Sequence, residues 1–172
     1  MDPLARPGKA APDFELPDLE GIPHRRSSLL GRILVVNFWS ADCPHSVRGD
    51  KQLEELKSEW GDRVAVWSVA CNRNERTEDL ARAAAERGVE PLLLDLDQAV
   101  ADRYGALTTP HVFLIDAAGV LRYAGAPDNV TFGQPRPSLS YLEEAAAALL
   151  AGREPPLTET PAHGCAIVRM AG

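Results

Sequence analysis

The chain has 172 residues, 45% hydrophobic and 25% charged. That is enough for one domain with its own apolar core, and it excludes a disordered chain. The net charge of −7, from 18 basic and 25 acidic side chains, argues against nucleic acid or an anionic membrane surface as partner, since both need a basic face. No apolar run reaches bilayer length: the longest, residues 33–39, is interrupted by Asn37 and is strand-sized. Residues 1–9 lack the apolar core of a signal peptide, so the cytoplasm is the expected compartment. Three cysteines, Cys43, Cys71 and Cys165, are too few and odd in number for a secreted disulfide framework.

Pro and Gly cluster over residues 3–23, 125–137 and 152–164. They mark an N-terminal arm (1–24), a long internal loop and an extended tail (152–172) around one body. Residues 33–38 form a continuous apolar run, as in a strand buried on both faces. Residues 46–60 read as a helix with Val47, Leu53, Leu56 and Trp60 turned inward and Gly61 as its stop. A second buried strand is predicted over 64–70, a helix over 77–87 ending at Gly88, a short strand over 92–94, and helical turns over 98–104 ending at Gly105. Residues 111–115 and 120–124 flank the turn Asp116-Ala117-Ala118-Gly119 as a hairpin. The last helix is predicted over 138–150, with Ser138 as cap and Gly152 as end. This alternation predicts an α/β fold: a central, mostly parallel sheet with helices on both faces and an antiparallel hairpin at one edge.

Cys43 carries the chemistry. It follows the strand ending at Phe38-Trp39 and stands at the start of the next helix, at the carboxyl end of a strand, where active groups of open α/β sheets lie. A helix N-terminus offers free N–H groups and partial positive charge, which stabilise a thiolate and make it nucleophilic at neutral pH. Pro44 suits the first helical position. His45 puts an imidazole beside the thiol, and its protonated form lowers a thiol pKa further. The competing reading of Cys43 is a small packed hydrophobe. Thr109-Pro110 precedes a strand that can lie beside this turn. A cis bond there would expose the Thr109 backbone to an extended partner held against Cys43, whereas a trans proline would merely open a strand. Trp39 is expected to wall the site.

Several segments together resemble a known family. Ala11-Pro12-Asp13-Phe14-Glu15-Leu16-Pro17-Asp18-Leu19-Glu20-Gly21 is similar to the opening of the redoxin, or alkyl hydroperoxide reductase/thiol-specific antioxidant (AhpC/TSA), branch of the thioredoxin superfamily. Ser28-Leu29-Leu30-Gly31-Arg32 and Val35-Val36-Asn37-Phe38-Trp39-Ser40 continue it. The segment Thr109-Pro110-His111-Val112-Phe113-Leu114-Ile115 resembles that superfamily's cis-proline strand. The resemblance runs from Gly8 to Leu150 and implies a thioredoxin-like fold, a cis Pro110 and thiol redox chemistry without a cofactor. The tail, Pro161-Ala162-His163-Gly164-Cys165-Ala166-Ile167, resembles the Gly-Cys ending of a redoxin subgroup.

Departures from the family separate the functions. Disulfide reductases of the superfamily carry a second cysteine where Ser46 stands, so exchange within one short motif is not available. Peroxiredoxins carry Pro and Thr where this chain has Val36 and Ser40, and an activating Arg near residues 110–111, where none stands; Arg122 on the hairpin is a substitute candidate. The main expectation is thiol–disulfide exchange with Cys43 as nucleophile, Trp39, Ser40, Pro44, His45, Ser46, Thr109 and Pro110 in support, and Cys165, on a flexible tail, as resolving cysteine. Cys71, at the end of a buried strand, is read as a packed thiol or as a second partner for Cys43. The alternatives are a thiol peroxidase and a non-catalytic or metal-handling module. Cys43-x-His45 and His163-x-Cys165 invite a zinc or copper reading, but their spacing is not that of a known finger, and no metal is assigned. Expected partners are protein or small-molecule thiols and disulfides, and hydroperoxides in the second reading. Neither nucleic acid nor membrane is expected, and the chain would act as a monomer or homodimer.

Overall fold

The computed structural model describes residues 4–169. The arm forms a hairpin of β1 (Glu15–Pro17) and β2 (Pro23–Arg25), which runs one residue past the expected boundary at 24. The body then runs β3 (Ile33–Trp39), α1 (Pro44–Trp60), β4 (Val64–Ala70), α2 (Thr77–Arg87), β5 (Leu92–Leu94), α3 (Ala99–Tyr104), β6 (Thr108–Thr109), β7 (His111–Ile115), β8 (Leu121–Gly125) and α4 (Tyr141–Leu150). Near the end the tail adds β9 (Cys165–Ala166).

Five strands form one mixed sheet in the order β5-β4-β3-β7-β8. β3 is parallel to β4 and antiparallel to β7, so the crossover half and the hairpin half meet along it. Every residue of β3 and β7 is buried, as strands covered on both faces must be. One face packs Phe14, Phe38, Trp67, Tyr104 and Phe113. The other packs Val35, Val66 and Leu114 against Leu53, Leu56 and Trp60 of α1 and against Leu142 and Ala145 of α4. This is the thioredoxin-like α/β architecture that the family resemblance implies, but the sheet is evenly mixed rather than mostly parallel, because β7 pairs antiparallel with the central β3 as well as with β8.

Two boundaries differ with clear causes. α1 begins at Pro44 rather than 46, because Pro takes the first helical position and Cys43 caps it. α4 begins at Tyr141 rather than 138, because Ser140, not Ser138, accepts from the Glu143 amide (3.2 Å). Val47, expected inward, is exposed; Ser46, Gly49 and Asp50 are buried there instead. That first stretch of α1 faces the cis-Pro110 loop and α2 rather than the apolar core: Gly49 lies against the proline ring, where an added Cβ would make only an ordinary contact at 3.7 Å.

Candidate active site

β3 and α1 together place Cys43. The strand ends at Trp39, and the turn 40–42 hands the chain to the helix with Cys43 in extended conformation at its N-cap. This turn is tied on every side. The Ser46 hydroxyl accepts from the Ser40 amide (3.3 Å), the Ser40 hydroxyl from the Asp42 amide (3.3 Å), and the Glu75 carboxylate from the Ala41 amide (2.6 Å). Arg87 donates to the carbonyls of Ser40 (2.8 Å) and Ala41 (3.2 Å). Ser40 and Ser46 therefore build the turn, and both are buried.

Opposite stands Thr109, joined to Pro110 by a cis bond. Its carbonyl oxygen lies 3.2 Å from the Cys43 sulfur. Antiparallel to β6 runs β9, with Thr109 opposite Cys165 and Thr108 opposite Ala166. Cys165 is disulfide-bonded to Cys43, their Cα atoms 6.1 Å apart across a sequence separation of 122. The extended partner beside the cis proline is the chain's own tail.

That tail is not the flexible arm the sequence suggests. The Ile167 amide donates to the Leu107 carbonyl (3.0 Å), and its side chain is buried in the cluster that holds Phe14 and Tyr104. Asn72 accepts from the Val168 amide (2.8 Å), while the Arg73 amide (3.2 Å) and Gln98 side chain (2.7 Å) donate to the Val168 carbonyl. Arg169 pairs with Asp102. The clasp is not legible in the sequence because its contacts join positions 60 to 96 residues apart.

His45 and His163, neighbours of the paired cysteines in sequence, meet edge to face with ring centres 5.1 Å apart, and the exposed Phe132 packs on His163 at 5.6 Å. Burial, His163 and the cation Arg48 hold His45 below the ordinary histidine pKa, against a smaller opposing pull from Asp128. The neutral imidazole is thus favoured, so the condition under which His45 would lower the thiol pKa further, its protonation, is disfavoured here. Arg48 forms an ion pair with the buried Asp128 from the long loop; neither residue carried a signal in the sequence.

Trp39 is not a wall of the site. It is wholly buried behind the turn with Ala70, Leu80, Ala84 and Leu92. Its indole donates to Asp50 (2.9 Å), whose other partner is Arg87 (2.9 Å); the guanidinium also lies 4.4 Å from the indole ring centre. Burial raises the Asp50 pKa, with the indole hydrogen bond and Arg87 acting against that. Through Arg87 this cluster fixes the carbonyls that precede Cys43.

Cys71 is a buried free thiol whose pKa is pushed up to about 12 by burial, and it lies outside the Cys43–Cys165 pair. Arg122 is no substitute for a peroxide-activating Arg. It binds Asp116 (2.7 Å) beside the start of β3, whereas Cys43 follows the other end. Among the described residues no group of three or more His, Cys, Asp or Glu is placed to hold a metal ion, and no helix is long and apolar enough to cross a membrane.

The AhpC/TSA family model matches residues 7–124. Thiol-disulfide oxidoreductase ResA of Halalkalibacterium halodurans is 33% identical over 117 residues, 67% of this chain and 66% of that protein. Thiol:disulfide interchange protein DsbE of Allochromatium vinosum is 31% identical over 130 residues, 72% and 70% of the two chains. This chain thus spans about two thirds of the length of those relatives. Among solved structures, a hypothetical protein of Sinorhizobium meliloti matches with a TM-score of 0.87 and 30% identity over 97% of this chain and 96% of that one. Its coverage takes in the tail as well as the body.

Proposed function

Because the chain belongs to the AhpC/TSA family and acts as a thiol-dependent oxidoreductase on thiols and disulfides, we propose that Cys43 is its nucleophile and Cys165 its resolving cysteine. The observation that carries this is the Cys43–Cys165 disulfide at the N-terminus of α1, against Thr109 and cis-Pro110. In the reduced enzyme the Cys43 thiolate attacks one sulfur of a substrate disulfide. The substrate's S–S bond breaks, its second sulfur leaves as a thiolate, and Cys43 is left in a mixed disulfide. The Cys165 thiolate then attacks Cys43, expels the remaining substrate sulfur as a thiolate and regenerates the Cys43–Cys165 bond. Two electrons have passed to the substrate, and an external dithiol restores the enzyme.

The structure supports each role separately. The free N–H groups of α1 lower the cost of charge on Cys43, both as attacking thiolate and as leaving group. β9 supplies Cys165 in register, within one chain, so the cycle needs no second copy. Hydroperoxides stand second as substrates: the Ser40 hydroxyl is engaged by the Asp42 amide, and Arg122 lies at the wrong end of β3.

The test is reduction of a protein disulfide by pre-reduced enzyme, followed by intact mass. Cys43→Ser is expected to abolish it, and Cys165→Ser to accumulate a mixed disulfide on Cys43. Unchanged turnover by Cys43→Ser overturns the assignment.

A further inference from the structure

The docked tail is also a template for what the site accepts. Three of its residues meet the edge Leu107–Thr109 in different ways. Cys165 stands opposite Thr109 and bonds Cys43. Ile167, on the same side of an extended chain as Cys165, donates its amide to Leu107 and buries its side chain in the core cluster, while the intervening Ala166 is exposed. Gly164 passes so close to the cis peptide that a Cβ on it would collide with the Thr109 carbonyl oxygen and sit 2.8 Å from its carbon. Each contact is a filter: a residue without Cβ, then the cysteine, then any residue, then an aliphatic side chain.

We propose that this enzyme selects protein disulfides whose cysteine lies in an extended Gly-Cys-x-Ile, -Val or -Leu segment, which takes the place of β9 on the Leu107–Thr109 edge. The inference rests on Cys43 being the nucleophile. Backbone pairing to Thr108 and Thr109 orients the segment antiparallel, so only this chain direction puts the aliphatic residue in the socket that Ile167 fills. The same geometry couples the two half-reactions. Cys165 reaches Cys43 by re-forming β9, and re-forming β9 strips the substrate segment from the edge. Resolution and product release then become one event.

The experiment uses the full chain with Cys165→Ser, leaving Cys43 unpaired. The probes are peptides Ala-His-Gly-Cys-Ala-Ile-Val, each activated as a mixed disulfide with thionitrobenzoate. Attack of the Cys43 thiolate on the peptide sulfur breaks that S–S bond and releases the coloured thionitrobenzoate anion with the electron pair. Rates are normalised to those of glutathione with the same peptide. Replacing the peptide Ile by Ala, replacing its Gly by Ala, or reversing the order to Ile-Ala-Cys-Gly is each expected to slow the reaction about tenfold, as loss of one buried aliphatic contact or one allowed close approach requires. Adding Ile167→Ser to the protein vacates the socket and is expected to raise the rate of the Gly-Cys-Ala-Ile peptide above that of its Ala variant by a larger margin. Normalised rates equal within about twofold across the peptides overturn the proposal. If the free reagent, the symmetrical disulfide of thionitrobenzoate, still reacts rapidly, the nucleophile assignment survives that failure. If the reagent does not react either, both fall.

Discussion

Gly164 and Thr109 touch at the one place where the tail crosses the cis peptide, and no side chain fits between them. Gly164→Ala must therefore lift β9 or displace the Thr109 carbonyl, and either change moves Cys165 away from Cys43. The variant is expected to form the Cys43–Cys165 bond at least about tenfold more slowly under a glutathione redox buffer, since loss of one close-packed approach is worth a kcal/mol or more. Thiol counting with mass mapping follows it. Closure at the unaltered rate would show that the tail does not need this path.

The disulfide closes a long loop, with a sequence separation of 122. On the chain-entropy account such a crosslink removes about 4–5 kcal/mol of freedom from the unfolded chain. Reduction is expected to lower the melting temperature by roughly 10 °C for a domain of this size. Calorimetry with and without a phosphine reductant checks it, and Cys43→Ser in the absence of reductant should match the reduced protein. With the bond to Cys43 gone, β9 is held only by the anchors of Ile167 and Val168, and reduction is expected to let it open from the edge, visible as lower amide-exchange protection at Ile167 than in the oxidised protein.

Beneath the turn, Arg87 joins Asp50, the indole of Trp39 and two carbonyls of the loop before Cys43. Arg87→Met leaves Asp50 buried without its cation, a change that costs about 3 kcal/mol. Asp50→Asn keeps an acceptor for the indole and removes the charge. In the Arg87→Met background it is expected to restore part of the loss in urea unfolding, an interaction a double-mutant cycle reads directly. Additive losses would mean that the two residues act independently.

What the sequence made legible follows from range. β4, α2 and β5 have the predicted limits because their signals are local: apolar runs, and a glycine after the last helical turn. Cys43 was readable because chemistry confines it to a helix start; Thr109-Pro110 was readable locally only as a strand entry, and its cis bond came from the family resemblance, since a trans proline opens a strand equally well. Trp39 was misread because an aromatic beside a nucleophile looks the same whether it faces solvent or core; its partner Asp50 lies eleven residues on, and only the fold reveals it. Val47 was placed inward by periodicity. α1 changes neighbours along its length, and its first two turns meet a proline and polar groups rather than apolar core. Arg48 with Asp128, and Ile167 in the core, join distant segments that no local pattern links.

His111 ties the pH dependence of stability to the docking edge. It is buried, stacks on Phe113 with ring centres 4.5 Å apart, and its Nδ1 accepts from the Leu107 amide (3.1 Å). Leu107 in turn accepts from Ile167. Burial drops the His111 pKa from 6.5 to about 4. Between those values the unfolded chain holds a proton that the folded one does not. The contribution is therefore complete above pH 6.5 and is lost as pH falls toward 4, by about 3 kcal/mol. Asp13, Asp18 and Asp116, held below the usual carboxylate value of 3.8, act only at more acid pH. His111→Asn, whose side-chain oxygen replaces Nδ1 as acceptor, is expected to remove the larger part of the loss of urea stability between pH 6.5 and 4, leaving a contribution of the same sign from His45 and opposing ones from Asp50 and Asp95, and to keep Ile167 protected from amide exchange at pH 5. A variant as acid-sensitive as the parent would place the titrating group elsewhere.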